Sequence, residues 1–169
     1  MKTKLRLLPV LCALTLAPVT HALANGYLLA SIGNSDDDVL QETATGIKIG
    51  MGAMLNENLA VELAYVDLGT IDFPFFGVEI SQYGLAASLI PIHKISEQAA
   101  VYAKIGLYSW TLEVSDPFGS GEDTGTDLFY GFGFEHKVGD SVAVVAEYEF
   151  YEVSDGDVDL LSVGVKIDF

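Results

Sequence analysis

From residue 26 to the end of the chain, apolar and non-apolar side chains alternate with a period of two, eight times over. No stretch in that span offers the roughly 18 consecutive apolar residues of a membrane helix. Period two marks extended backbone, because successive side chains leave a strand on opposite faces. The segments are 26–33, 43–55, 59–68, 78–91, 99–113, 125–137, 142–153 and 159–169.

The two faces differ in kind. One carries Ile47, Ile49, Met51, Leu63, Tyr65, Leu85, Leu89, Ile105, Leu107, Phe132, Phe134, Tyr148, Phe150, Val163, Val165 and Ile167. The other carries Lys48, Glu62, Gln82, Ser88, Tyr102, Lys104, Tyr108, Glu135, Glu147, Glu149 and Lys166, with Gly50, Gly52, Gly84, Gly106, Gly131, Gly133 and Gly164 between them. The apolar face is too bulky and uniform for a small barrel's interior. Turned outward, it is the lipid-facing wall of a membrane barrel, and the glycine-and-charge face lines the lumen. Closure into a ring gives every backbone group a partner, which lipid requires. The expected fold is all-β, an eight-stranded antiparallel up-and-down transmembrane barrel over residues 25–169.

Connections alternate in length. Residues 56–58, 93–98 and 139–140 read as short turns, whereas 34–42, 69–77, 114–124 and 154–158 read as mostly longer loops rich in Gly, Asp, Ser and Pro. Asp36, Asp37, Asp38, Glu42, Asp72, Asp116, Glu122, Asp123, Asp155 and Asp157 fall in the longer set, which places the acidic charge on one rim. Tyr65, Phe73, Phe75, Phe76, Trp110, Phe134 and Phe169 lie near strand ends, as interfacial girdles do.

Residues 1–24 read as a cleaved signal peptide. Lys2, Lys4 and Arg6 precede an apolar core from Leu7 to Val19, and Ala22-Leu23-Ala24 is a small-x-small cleavage site. The only cysteine, Cys12, follows Leu11 inside this segment, so no lipidation is expected. Beyond it, Lys48, Lys94, Lys104, Lys137 and Lys166 stand against all 24 acidic residues. Such a chain repels phosphate, and no nucleic-acid partner is expected. With cysteine absent after residue 24, no disulfide, thiolate nucleophile or Cys-ligated metal is expected there.

The last eight residues, Ser162-Val163-Gly164-Val165-Lys166-Ile167-Asp168-Phe169, combine a polar residue, a glycine, an apolar position and a final aromatic. They resemble the terminal signal read by the outer-membrane barrel assembly machinery, with Ser162, Gly164, Ile167 and Phe169 at its key positions. Residues 26–169 as a whole resemble the small OmpA-like barrels. The resemblance implies a Gram-negative outer-membrane location, with membrane lipids and lipopolysaccharide around the barrel and the assembly machinery as a partner during insertion. Larger members continue into a periplasmic cell-wall-binding domain; this sequence stops at Phe169, so no direct peptidoglycan tether is expected.

Charge in a narrow lumen must be paired. Lys48, Glu62, Lys104, Glu135, Glu147, Glu149 and Lys166 therefore read as an internal ion-pair network, with Lys104 or Lys166 at its centre. An eight-stranded interior is just filled by side chains, so steady conductance is not expected. No catalytic residue is assigned: His93 sits in a turn segment, His136 alternates with Phe134, and no Gly-x-Ser-x-Gly elbow occurs. Asp36, Asp37, Asp38, Asp155 and Asp157 offer hard oxygen ligands for Ca²⁺ or Mg²⁺ but lack the twelve-residue EF-hand spacing. No metal site or cofactor is assigned. The expectation is a non-enzymatic structural or interaction barrel with a plugged polar lumen and acidic extracellular loops. A soluble periplasmic lipocalin-like carrier of a small apolar ligand is the alternative.

Overall fold

The computed structural model describes residues 25–38, 42–73, 75, 77–153 and 156–169. Residues 1–24, expected as a signal peptide, and Phe76 and Asp155 lie outside the described residues. Eight strands follow in chain order: β1 Gly26–Asp37, β2 Glu42–Asn56, β3 Leu59–Phe73, β4 Val78–Lys94, β5 Ala99–Asp116, β6 Gly119–Lys137, β7 Val142–Val153 and β8 Gly156–Asp168. Each pairs antiparallel with its neighbour, and β1 closes on β8 through Tyr27↔Asp168 to Asp37↔Val158. The fold is a closed up-and-down barrel.

Its orientation follows from burial. Leu63, Ile105, Phe132 and Val165 are 51%, 57%, 59% and 45% exposed, whereas Glu62 and Lys104 are 7% and 3% exposed. The greasy face looks outward and the charged face inward. A soluble carrier requires the reverse, so the lipocalin-like alternative falls.

The strands are longer than the alternation indicates. On β5 the outward series is apolar from Val101 to Leu107, then becomes Ser109, Thr111, Glu113 and Ser115, yet the ladder with β6 continues to Asp116↔Gly119. The segments expected as long loops are therefore largely strand. Only Pro117 and Phe118 separate β5 from β6. Hydrophobic alternation reports where the wall touches lipid. Backbone pairing does not need it and runs on into water. We call this end the hairpin rim, and the opposite end, with its connections at 57–58, 95–98 and 138–141, the short-turn rim.

Two local irregularities have plain causes. Pro91 has no N–H to give, and the β4–β5 ladder is interrupted between Leu89↔Ile105 and Ile92↔Tyr102 without a change of register. A bulge between Asp67 and Gly69 on β3 places Gly69 at φ +96°, a backbone conformation that glycine adopts without strain.

The aromatic girdle is thinner than the sequence indicates. Tyr65, Phe134 and Phe169 face outward and are exposed. Phe73 is half-buried, and Phe75 is exposed in the connection between β3 and β4. Trp110 is not in the girdle: it is buried in the lumen, 5% exposed, and its indole N–H donates to Asp127 Oδ2 at 2.7 Å. An indole inside the barrel needs an acceptor, and Asp127 on the neighbouring strand supplies it.

Candidate functional site in the lumen and on the hairpin rim

The inner face divides into two layers. Toward the short-turn rim it is ionic. Lys104 Nζ lies 2.8 Å from Glu62 Oε1, 2.5 Å from Glu147 Oε1 and 3.3 Å from Glu149 Oε1. Lys48 Nζ contacts Glu147 and lies 2.5 Å from Glu149 Oε2. Strands β2, β3, β5 and β7 each supply members, so this cluster ties the ring together across its diameter. Tyr27 OH donates to Glu62 Oε2 and Tyr102 OH to Glu147 Oε1, each at 2.9 Å. The two phenols are seated by glycines. Tyr27 stands directly across from Gly52 and Tyr102 across from Gly133, and a Cβ on either glycine would meet the ring at under 2.5 Å. Those glycines make room for aromatic rings, not for ions.

Of the seven residues read as one network, five gather here. Lys166 is not central. It pairs with Glu135 Oε2 at 2.5 Å, lies 3.5 Å from Asp168 Oδ1, and sits 5.0 Å over the Tyr27 ring. This second group is partly exposed, at the floor of a vestibule of about 680 Å³ that opens at the short-turn rim. A small cavity of about 20 Å³, lined by Glu62, Lys104, Glu135, Glu147 and Lys166, separates the two groups.

Toward the hairpin rim the lumen is apolar. Val66, Leu68, Tyr108, Phe129, Tyr151, Val158 and Leu160 form one buried cluster. Tyr151 stacks on Phe129 with centroids 5.0 Å apart and meets Tyr108 edge-on at 4.8 Å. Sequence alternation put Tyr108 on the inner face but did not single out Tyr27, Phe129, Tyr151 or Leu160. Each shares its parity with a lumenal charge or glycine, which was the available signal.

The residues expected to form a terminal assembly signal divide by face: Ser162 is buried inside, Gly164 half-buried, and Ile167 and Phe169 exposed outward. His93 lies within β4, not in the turn, and both His93 and His136 are exposed near the short-turn rim. Among the acidic residues weighed for metal, Asp37 accepts from Gln82 Nε2 at 3.1 Å, while Asp36 and Asp157 are exposed on β1 and β8. Among the described residues no three such side chains gather as a cation site.

Charge is segregated along the barrel axis. Lys48 and Lys104 lie in the ionic layer, and Lys94, Lys137 and Lys166 line the short-turn vestibule. Among the described residues no lysine or arginine lies on the hairpin rim. There, carboxylates stand directly across from one another: Asp36↔Asp159, Asp37↔Glu42, Asp72↔Glu79, Glu113↔Glu122 and Glu152↔Asp157. Like charges directly opposite one another destabilise a ladder.

Known proteins share this architecture. No curated protein matches the sequence. Among solved structures, Neisserial surface protein A (NspA) superposes with a TM-score of 0.74 at 19% identity, covering 85% of this chain and 97% of that one. The N-terminal barrel of Pseudomonas aeruginosa OprF gives 0.63 at 16% identity, covering 86% and 98%. Ail, the attachment invasion locus protein of Yersinia pestis, solved in complex with the heparin analogue sucrose octasulfate, gives 0.62 at 17% identity, covering 86% and 97%. At these identities the likeness is one of fold. The family described as "Outer membrane protein beta-barrel domain" matches residues 7–169. With its greasy wall outward and its charges enclosed, this chain belongs to that family, and its place is the bacterial outer membrane.

Proposed function

We propose that the protein is a closed, non-enzymatic barrel that stabilises the outer membrane and presents an acidic rim to the cell exterior. The observation that carries this reading is the succession of two filled layers in the lumen. A solute entering from the short-turn vestibule meets Met54 and Ile92, then the Lys48–Lys104–Glu147 cluster, then the Tyr108–Phe129–Tyr151 layer. An ionic layer backed by an apolar one offers no continuous wet path. The purified protein in planar bilayers should therefore give no stable channels. Large, long-lived conductance steps would overturn the closed lumen.

The non-enzymatic reading is supported by the paired charges of the ionic layer and by the outward position of both histidines, away from it. Cleavage after Ala24, insertion directed by the terminal Phe169 segment, and lipopolysaccharide as the surrounding lipid complete the proposal. Ail was crystallised with a sulfated sugar. The rim of this chain, acidic and without lysine or arginine among its described residues, favours partners of the opposite sign.

A further inference from the structure

The unequal strand lengths leave one backbone edge open. β6 begins at Gly119, but its ladder with β7 begins only at Phe129↔Tyr151. Residues 119–127 pair with β5 on one side. Among the described residues, no strand pairs with the other side. The β7–β8 hairpin ends its ladder at Val153↔Gly156, so the β6 edge rises above it. Half of the N–H and C=O groups along this stretch point away from β5 over about 30 Å, at roughly 3.3 Å per residue; within it the Thr124 N–H already donates to Asp123 Oδ1 at 3.0 Å. The opposite edge, on β3, is different. It is short, and its start packs on the neighbouring strands: Ser35 Oγ donates to Leu68 O, and Gly69 lies against Thr45.

A free strand edge is a template for another strand. Edges are commonly blunted by lysine, proline or a bulge. The stretch Gly-Ser-Gly-Glu-Asp-Thr-Gly-Thr-Asp has no lysine and no proline, and its register with β5 is unbroken. Its only charges are Glu122, Asp123 and Asp127, with Glu113 directly across from Glu122. Carboxylates do not close an edge to every strand; they select the sign of the one that pairs. Phe118 at the tip is 98% exposed and adds an apolar contact at the end of the edge.

We propose that residues 119–127 of β6 form a strand-addition site for an extended lysine- or arginine-rich segment of a partner protein. Main-chain bonds along the edge hold the segment, and its cations relieve the like-charge contacts of the rim. A second copy of this chain would set Glu122 and Asp123 against their own counterparts. The inference rests on the interaction-barrel reading above only for the side of the membrane on which the partner lies.

The test uses the full chain in detergent micelles with an alternating Lys-Thr peptide of about eight residues, and a Glu-Thr peptide as control. The Lys-Thr peptide should bind, more weakly as salt rises, and should slow exchange of the edge-facing amides of residues 119–127 by about tenfold or more. A Glu122→Lys/Asp123→Lys variant should lose binding by about tenfold while keeping its folded gel migration. The proposal is overturned by absence of binding, by binding without amide protection on β6, by equal binding of the Glu-Thr peptide, or by self-association through this edge. Channels in the planar bilayer would sink the closed lumen and leave the peptide result standing. Failure of the peptide would leave the closed lumen standing.

Discussion

Lys104→Met should be the most damaging single substitution in the lumen. Glu62 loses its only lysine partner among the described residues, and Glu147 and Glu149 are left to share Lys48. All of these groups are buried, and the Glu62 carboxylate is left with the Tyr27 hydroxyl but no cation among the described residues. Breaking a buried pair from one side costs about 3–5 kcal/mol. Lys166→Met is the control. Its pair with Glu135 lies at the vestibule floor, 12% and 11% exposed, and solvent screening holds the expected loss to about 1 kcal/mol. Urea unfolding in lipid vesicles measures both. Adding Glu62→Gln to Lys104→Met should recover part of the loss, because it removes the unpaired charge. Equal losses for Lys104→Met and Lys166→Met would contradict the assignment of the ionic core to Lys104.

Tyr151→Ala should cost about 3–5 kcal/mol through a different mechanism. The ring is fully buried between Phe129 and Tyr108, and truncation leaves a cavity that the stiff barrel wall cannot collapse into. The hydroxyl contributes little to this. It is buried with no hydrogen-bond partner among the described residues. Tyr151→Phe should therefore be neutral within about 1 kcal/mol, or stabilising, since it deletes an unsatisfied polar atom. Unfolding midpoints of the two variants separate packing from hydrogen bonding. A Tyr151→Phe loss as large as that of Tyr151→Ala would mean that the hydroxyl has a partner and that the layer is not simply apolar packing.

Much of this barrel was legible in the sequence, and what was hidden was hidden for identifiable reasons. The inside-outside parity of Lys48, Glu62, Lys104, Phe132 and Val165 follows from a strict period of two, and parity survives any error in strand ends. Strand ends are not legible in the same way. Serine, glycine and acidic residues at 114–124 look like loop composition, but most of them form ladder that has left the lipid. Trp110 reads as interfacial because it lies near a strand end. Its parity matched Tyr108 and Lys104 and pointed inward, and parity wins over nearness to a strand end. The separation of Lys166 from Lys104 was beyond reach. Alternation says which side of the wall a residue faces, not which residues of β2, β3, β5 and β7 stand at the same height across the lumen. That height is set by stagger between strands, which closure fixes and a single sequence does not.

The charge on the hairpin rim was legible in sign and only partly in form. By composition Asp72, Glu122 and Asp157 read as loop charge. The register instead sets them in direct like-charge pairs on paired strands. A ladder that retains such pairs gives up stability at the rim, which supports a role for the charge beyond solubility.

The central claim is that the apolar wall meets lipid while the ionic layer is sealed from it. Single spin labels at positions 63, 105, 132 and 165, introduced as cysteines in a Cys12→Ser background and reconstituted in vesicles, test it most directly. Each label should be readily accessible to dissolved oxygen and poorly accessible to a water-soluble nickel chelate, as lipid-exposed sites are. High nickel access at Leu63→Cys and Ile105→Cys would put those side chains in water, and exclusion of both reagents would put them in a protein core; either result would contradict the account.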